Sequence, residues 1–198
     1  MPTYFDFVVA IQEIKPRIWR RFLLPKTATF HDLHMAIQDS FGWENCHLFE
    51  FSDGGFEGDQ IAGSPQTELP LFGEEVPPAT TVRLSSYFAE GRRICTYLYD
   101  FGDSWCHEVC LRGMVEDKEA FKRRLLDGAR ACPQEDSGGI GGYRRFSKIV
   151  NTGKDPYGED VEEALEWLDG WDPETFDLAK AKAKFDKKGG KGSSKARR

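Results

Sequence analysis

The chain has 198 residues, 39% of them hydrophobic and 13% aromatic, and a formal net charge of −6. That length suits one domain with its own core, and fifteen Phe with five Trp exclude a disordered chain, which lacks the apolar surface to offset its conformational entropy. The charge is uneven: Lys180 to Arg198 holds nine Lys/Arg and one acid, so a +8 tail follows a −14 body. No run of about 18 apolar residues occurs, so no membrane-crossing helix is expected. Met1 to Ile14 lacks the basic start and apolar stretch of a signal peptide. Five cysteines (46, 95, 106, 110 and 132), odd in number and irregular in spacing, argue against a disulfide framework and for a reducing cytoplasm.

Phe5, Phe7, Val9 and Ile11 alternate with other residues, which predicts a half-buried strand. Lys15-Pro16 breaks it, and Ile18 to Leu24 reads as a second, antiparallel strand. Thr29, with Asp32 three positions on, predicts a capped helix carrying Phe30, Leu33, Ile37 and Phe41 on one face and stopping at Gly42. Cys46 to Phe51 reads as a strand. Ser52 to Pro78, rich in Gly, Pro and acids, reads as a long loop with at most a short hairpin. Val82 to Phe88 fits either a strand end or a short helix. Ile94–Phe101 and Trp105–Val115 form a hairpin across Gly102-Asp103.

Glu119 to Asp127 reads as a charged helix, and Cys132 to Gly142 as a glycine-rich loop. Helices follow at Tyr143–Val150 and Val161–Trp171. Asp172-Pro173 then supplies an N-cap and first-turn proline for a last helix, which runs to about Lys188. Strands come first and helices mostly later, without a βαβ rhythm. The expected fold is α+β: a single domain with a mainly antiparallel sheet, helices packed on it, and further helices at the C-terminus. Its expected bounds are residues 1–178, followed by a basic helix end and disordered tail over 179–198.

Few motifs carry chemistry. Asp100-Phe101-Gly102 stands without the other elements of a kinase. Gly138 to Gly142 lacks the Lys-Ser/Thr of a phosphate loop and reads as a turn needing positive φ. No Cys-x-x-Cys or His-x-x-x-His pair of the zinc-finger kind occurs. Pairing Cys46 or Cys106 with a histidine is unspecific, and buried structural cysteines are expected. His34, His47, Asp103, His107, Glu135 and Asp136 would form a metal-dependent hydrolase or nuclease site only if loop and hairpin meet over the first helix. The expectation is instead structural histidines, with no metal and no cofactor.

Arg17, Trp19, Arg20 and Arg21 combine cations with an aromatic ring, as nucleic-acid binders do. The competing reading, which is favoured, pairs these arginines with the acidic body. The better DNA or RNA candidates are Lys180, Lys184, Lys187, Lys188, Lys191, Arg197 and Arg198 in the tail, against a solvated helix end and solubility tail.

Taken together, several segments resemble the plasmid pRiA4b ORF-three-like family, also described as passenger proteins of transposable elements. They are Ile14-Lys-Pro-Arg-Ile-Trp-Arg-Arg21, Phe30-His-Asp-Leu-His34 through Gln38, Phe41-Gly-Trp43 and His47-Leu-Phe-Glu-Phe51. Further along come Tyr99-Asp-Phe-Gly-Asp-Ser-Trp-Cys-His107, Cys132-Pro-Gln-Glu-Asp136 with Gly138-Gly139, and Trp167-Leu-Asp-Gly-Trp-Asp-Pro-Glu-Thr-Phe-Asp177. The resemblance spans about residues 4–178 and implies one α+β domain in a bacterial, cytoplasmic setting, with no established activity to carry over. Gln134, Ser137 and the histidine-free Asp155–Asp160 stretch depart from the family pattern, which leaves a His-rich metal site short of a ligand.

The function expected on these grounds is a non-enzymatic binding or accessory module linked to mobile-element DNA, whose basic tail touches nucleic acid. Two other readings stand beside it: the hydrolase or nuclease, and a protein-interaction domain whose aromatic surface docks a partner chain.

Overall fold

The computed structural model describes residues 1–55, 58–64, 76–89 and 91–188. The strands are β1 (Thr3–Ile11), β2 (Trp19–Pro25), β3 (Phe49–Asp53), β4 (Asp59–Gly63), β5 (Ile94–Tyr99), β6 (Trp105–Glu116) and β7 (Arg124–Ala129). The helices are α1 (Phe30–Phe41), α2 (Leu84–Phe88), α3 (Gly139–Thr152), α4 (Val161–Leu168) and α5 (Leu178–Lys188). Among the described residues, all seven strands join one antiparallel sheet in the order β4-β3-β5-β6-β1-β2-β7. This is the expected α+β fold.

Local rules explain much of it. Alternation along β1 turns Phe5, Phe7, Val9 and Ile11 into the core, where Phe22 and Leu24 of β2 join them; Tyr4, Asp6 and Ala10 on the other face are buried too, so the strand is not half-buried as expected. α1 lays Phe30, Leu33, Ile37 and Phe41 against the same layer. Its first turn is closed by a capping box: Thr29 Oγ1 accepts from the Asp32 amide at 3.2 Å, and Asp32 Oδ2 accepts from the Thr29 amide at 2.8 Å. Gly42, at φ 96°, ends the helix in the left-handed region that glycine enters without strain. The β5–β6 hairpin forms as expected, and its turn is closed by Asp100 Oδ1 accepting the Gly102 amide at 2.9 Å. In the Ser52–Pro78 stretch, β4 pairs with β3 as a short hairpin, while residues 56–57 and 65–75 lie outside the described residues.

Two elements differ from expectation. Glu119–Asp127 is not a helix; from Arg124 onward the chain is strand β7, hydrogen-bonded to the edge of β2. Its charged side chains sit on a sheet edge beside solvent, and Leu125 alone of β7 is deeply buried. Phe121, outside the strand, stacks on Tyr4 at 3.9 Å. The last helix begins at Leu178 rather than at Pro173. Asp172 Oδ1 caps a separate tight turn by accepting the Glu174 amide, and Asp177 Oδ1 accepts the Lys180 amide at the true helix start. α5 then packs on β7 and α1 and buries Phe185 completely, so the chain through this helix is tied to the core.

Candidate functional site

At one end of the sheet three connections meet: the α1–β3 loop, the β5–β6 turn and the loop leading into α3. Backbone-directed bonds lock them. Trp43 Nε1 donates to the Pro133 carbonyl at 3.0 Å, the Glu44 amide to Glu135 Oε2 at 2.7 Å, and the Gly138 amide to Asp103 Oδ2 at 3.0 Å. The approach is close enough to need glycine. A Cβ on Gly139 would lie 2.4 Å from the Asp103 carbonyl oxygen, and Gly138 and Gly139 have φ of 83° and 63°. The expected positive-φ turn is thus present at Gly138 and Gly139, but Ile140, Gly141 and Gly142, read as loop from sequence, belong to the first turn of α3.

Within this junction His47 Nε2 sits 3.2 Å from Asp136 Oδ1 and 3.6 Å from Asp100 Oδ2. One donor atom from each of the three lies within 4.8 Å of the others, and so does one from each of Cys46, His47 and Glu135. Glu135 is heavily engaged, accepting the Tyr99 hydroxyl and the Glu44 amide, with Cys46 Sγ 3.5 Å away. Burial and the Glu135 carboxylate push the Cys46 thiol and the Tyr99 phenol upward, so both stay protonated donors and Cys46 is not an activated nucleophile.

The other candidates stand elsewhere. His34 is fully buried, stacked on Phe49 at 3.6 Å, with Nδ1 2.8 Å from the Tyr97 hydroxyl and Nε2 2.7 Å from Asn45 Oδ1. His107 is also fully buried, its Nδ1 donating to the Trp105 carbonyl at 2.9 Å among Phe41, Trp43 and Tyr97. Burial lowers both imidazoles to about 4, so they are neutral packing groups. Asp103 holds the Gly138 amide. The structure thus gathers His47, Glu135 and Asp136, with Asp103 beside them, and leaves His34 and His107 in the core.

Two members were missed from sequence. Asp100 was visible only as part of Asp-Phe-Gly, and Cys46 only as a generic partner for histidine. The signal that would have found Asp100 is its position, where β5 ends and the turn begins.

Next to this cluster, and sharing Asp136 with it, a groove of about 370 Å³ runs between α3 and α4. Its floor is Phe146 stacked on Trp167 at 5.0 Å, and Trp167 remains 44% exposed. Glu159, Asp160 and Glu163 rim it together with Arg145, whose guanidinium is spent on Asp155 and Glu159 at 2.6 Å each.

The basic cluster on β2 is engaged by the body. Arg17 pairs with Glu108 at 3.2 Å and Arg21 with Asp6 at 2.7 Å, while Trp19 is partly buried in the strand. Arg20 is 1% exposed and gives its donors to backbone carbonyls, so no phosphate reaches it without local unfolding. In the tail, Lys180, Lys184 and Lys187 are exposed on α5 and Lys188 ends the helix; Lys191, Arg197 and Arg198 lie outside the described residues. Among the described residues no helix is long and apolar enough to cross a membrane.

Fold and junction together define an α+β domain with one seven-stranded antiparallel sheet and a polar site at its loop end. The chain belongs to the plasmid pRiA4b ORF-3-like protein family, matched over residues 3–180. It is 34% identical over 162 residues to uncharacterized protein y4hQ of Sinorhizobium fredii, covering 80% of this chain and 77% of that one. It is also similar to the crystal structure of a protein of unknown function, MM3350 from Methanosarcina mazei Go1. That match has a TM-score of 0.76 at 32% identity, over 91% of this chain and 98% of the other.

Proposed function

We propose that the protein is a non-enzymatic accessory module that docks a Lys/Arg-bearing segment of a partner protein in the α3–α4 groove. The observation that carries this reading is the half-exposed Trp167 on its Phe146 base, set among Asp136, Asp160 and Glu163, with Glu159 already paired to Arg145. An aromatic face attracts a cation through its quadrupole, and surrounding carboxylates add to that attraction. The −14 body steers a basic partner toward it over longer range. The burial of His34 and His107 as neutral rings in the core weighs against a hydrolase that uses all six polar residues. The cytoplasm and a mobile-element setting belong to the same proposal. A second contact, with DNA or RNA, is favoured by the exposed Lys180, Lys184 and Lys187 on α5.

The test is a titration of the full chain with a Lys/Arg-rich peptide, followed by Trp fluorescence and calorimetry. Trp167→Ala is expected to weaken binding about tenfold or more, as removal of a central aromatic anchor does. Glu163→Gln, which spares the packing, is expected to weaken it by a smaller factor that shrinks with added salt. Equal binding by wild type and both variants, or no binding by the wild type, overturns the reading.

A further inference from the structure

We infer that His47, Asp100 and Asp136 bind a first-row divalent cation, Zn²⁺ or Mn²⁺, at the junction of the three loops. The first ground is the orientation of the donors. His47 Nε2 is shielded from solvent and has no hydrogen-bond partner, although carboxylate oxygens stand 3.2 and 3.6 Å away. Neither oxygen lies where a ring N–H would meet it. Donor atoms of the three groups lie within 4.8 Å of one another, and His47 Nε2 makes no hydrogen bond to either carboxylate.

The second ground is spacing. Metal–ligand bonds of about 2.0–2.1 Å in a tetrahedral site put ligand atoms about 3.3 Å apart. The two contacts made by His47 fall on either side of that value, and the third edge of the triangle is within 4.8 Å. The third ground is support from behind. Asp100 Oδ1 accepts the Gly102 amide, which aims its other oxygen at His47, and the Tyr99 ring meets the imidazole edge-on at 5.7 Å. Such outer partners fix ligand orientation in metal sites. The Asp136 side chain is 73% exposed, so the fourth position faces water.

The neighbouring set of Cys46, His47 and Glu135 is the weaker choice. Both Glu135 oxygens already accept hydrogen bonds, and the Cys46 thiol is directed at Glu135. One imidazole nitrogen with two carboxylate oxygens suits zinc or manganese, whereas magnesium and calcium favour oxygen-only shells.

The experiment is calorimetric titration of the chelator-treated full chain with Zn²⁺, Mn²⁺ and, for comparison, Mg²⁺. One equivalent of Zn²⁺ or Mn²⁺ is expected to bind, and to raise the melting temperature. His47→Ala and Asp136→Asn are each expected to weaken that binding about tenfold or more, while Cys46→Ser binds as the wild type does. Asp136→Asn alters an exposed side chain, so its unchanged circular dichroism separates lost binding from lost fold. No binding of either metal by the wild type overturns the inference, and so does undiminished binding by folded Asp136→Asn. Loss in Cys46→Ser with retention in Asp136→Asn overturns the assignment in favour of the Cys46–Glu135 set.

Discussion

Replacing Arg20 tests whether a buried cation without a carboxylate partner stabilises this fold or merely burdens it. Its Nε donates to the Ser40 carbonyl at 2.9 Å; one terminal nitrogen donates to Trp19 and Ala129 at 2.8 and 2.9 Å, and the other to Arg130 at 2.9 Å. Phe41 and Phe176 lie over the guanidinium, at 5.0 and 3.8 Å to the ring centroids. Among the described residues no carboxylate forms an ion pair with it. Burial lowers the group to about 10, which still leaves it charged at neutral pH. The guanidinium thus ties β2 to the end of α1 and to the strand exit at 129–130.

Arg20→Met keeps most of the stem but removes every donor. Removing charged desolvation favours the variant; four deserted carbonyls oppose it at about 1–3 kcal/mol for each that stays unsatisfied. Sheet bonds partly satisfy some of these carbonyls, so the net loss is about 3–5 kcal/mol, the equivalent of about two of them left unsatisfied. At about 2–4 °C per kcal/mol for a chain of this size, the melting temperature falls by about 6–20 °C. Arg20→Lys retains charge but not the planar fork, and is expected to lose at least about half as much. Urea and thermal unfolding followed by circular dichroism read both variants. A methionine variant within about 1 kcal/mol of wild type would show that desolvation wins and refute the reasoning.

The two buried histidines predict an acid-sensitive fold. Their folded-state values, near 4, lie below the ordinary 6.5, so the unfolded chain binds protons first. Their contribution is therefore complete above about pH 6.5 and is lost as pH falls toward 4, removing about 3–4 kcal/mol for the pair between pH 7 and 5. Urea midpoints measured across that range check it, and constant stability down to pH 5 refutes it. For the tail, Lys180, Lys184 and Lys187 changed together to Gln should preserve melting and weaken non-specific DNA binding, with a shallower dependence on log salt. Wild-type protein that ignores DNA at low salt, or unchanged binding in the triple variant, refutes that contact. Deleting from residue 180 is the wrong experiment, because it also removes the buried Phe185.

Sequence alone determined the features that depend on near neighbours. The alternation of β1, the Thr29–Asp32 capping box, the Gly42 stop and the β5–β6 hairpin follow from residues a few positions apart, and each is present. So is the left-handed backbone at Gly138 and Gly139. Local signals failed where a distant partner supplied the free energy. The charged stretch after Glu119 has helical composition, but the open edge of β2 offered its backbone a hydrogen-bonding ladder. Asp172-Pro173 carries a helix-start signature, yet the turn it caps stops short, with Trp171 Nε1 fixed to the Cys132 carbonyl.

The site divides in the same way. Histidine and carboxylate positions were visible, but not which of them would meet. His34 and His107 fall on core-facing sides of α1 and β6, whereas His47 leads out of a loop toward the hairpin turn. Asp100 joins it because the antiparallel pairing of β3 with β5 brings the start of one strand beside the end of the other. Arg20 had the composition of a phosphate ligand and became a core residue, since carbonyls from α1, β2 and the end of β7 converge on it. Only the tertiary structure assigned these roles, because burial and charge pairing depend on long-range contacts that no window of neighbouring residues contains.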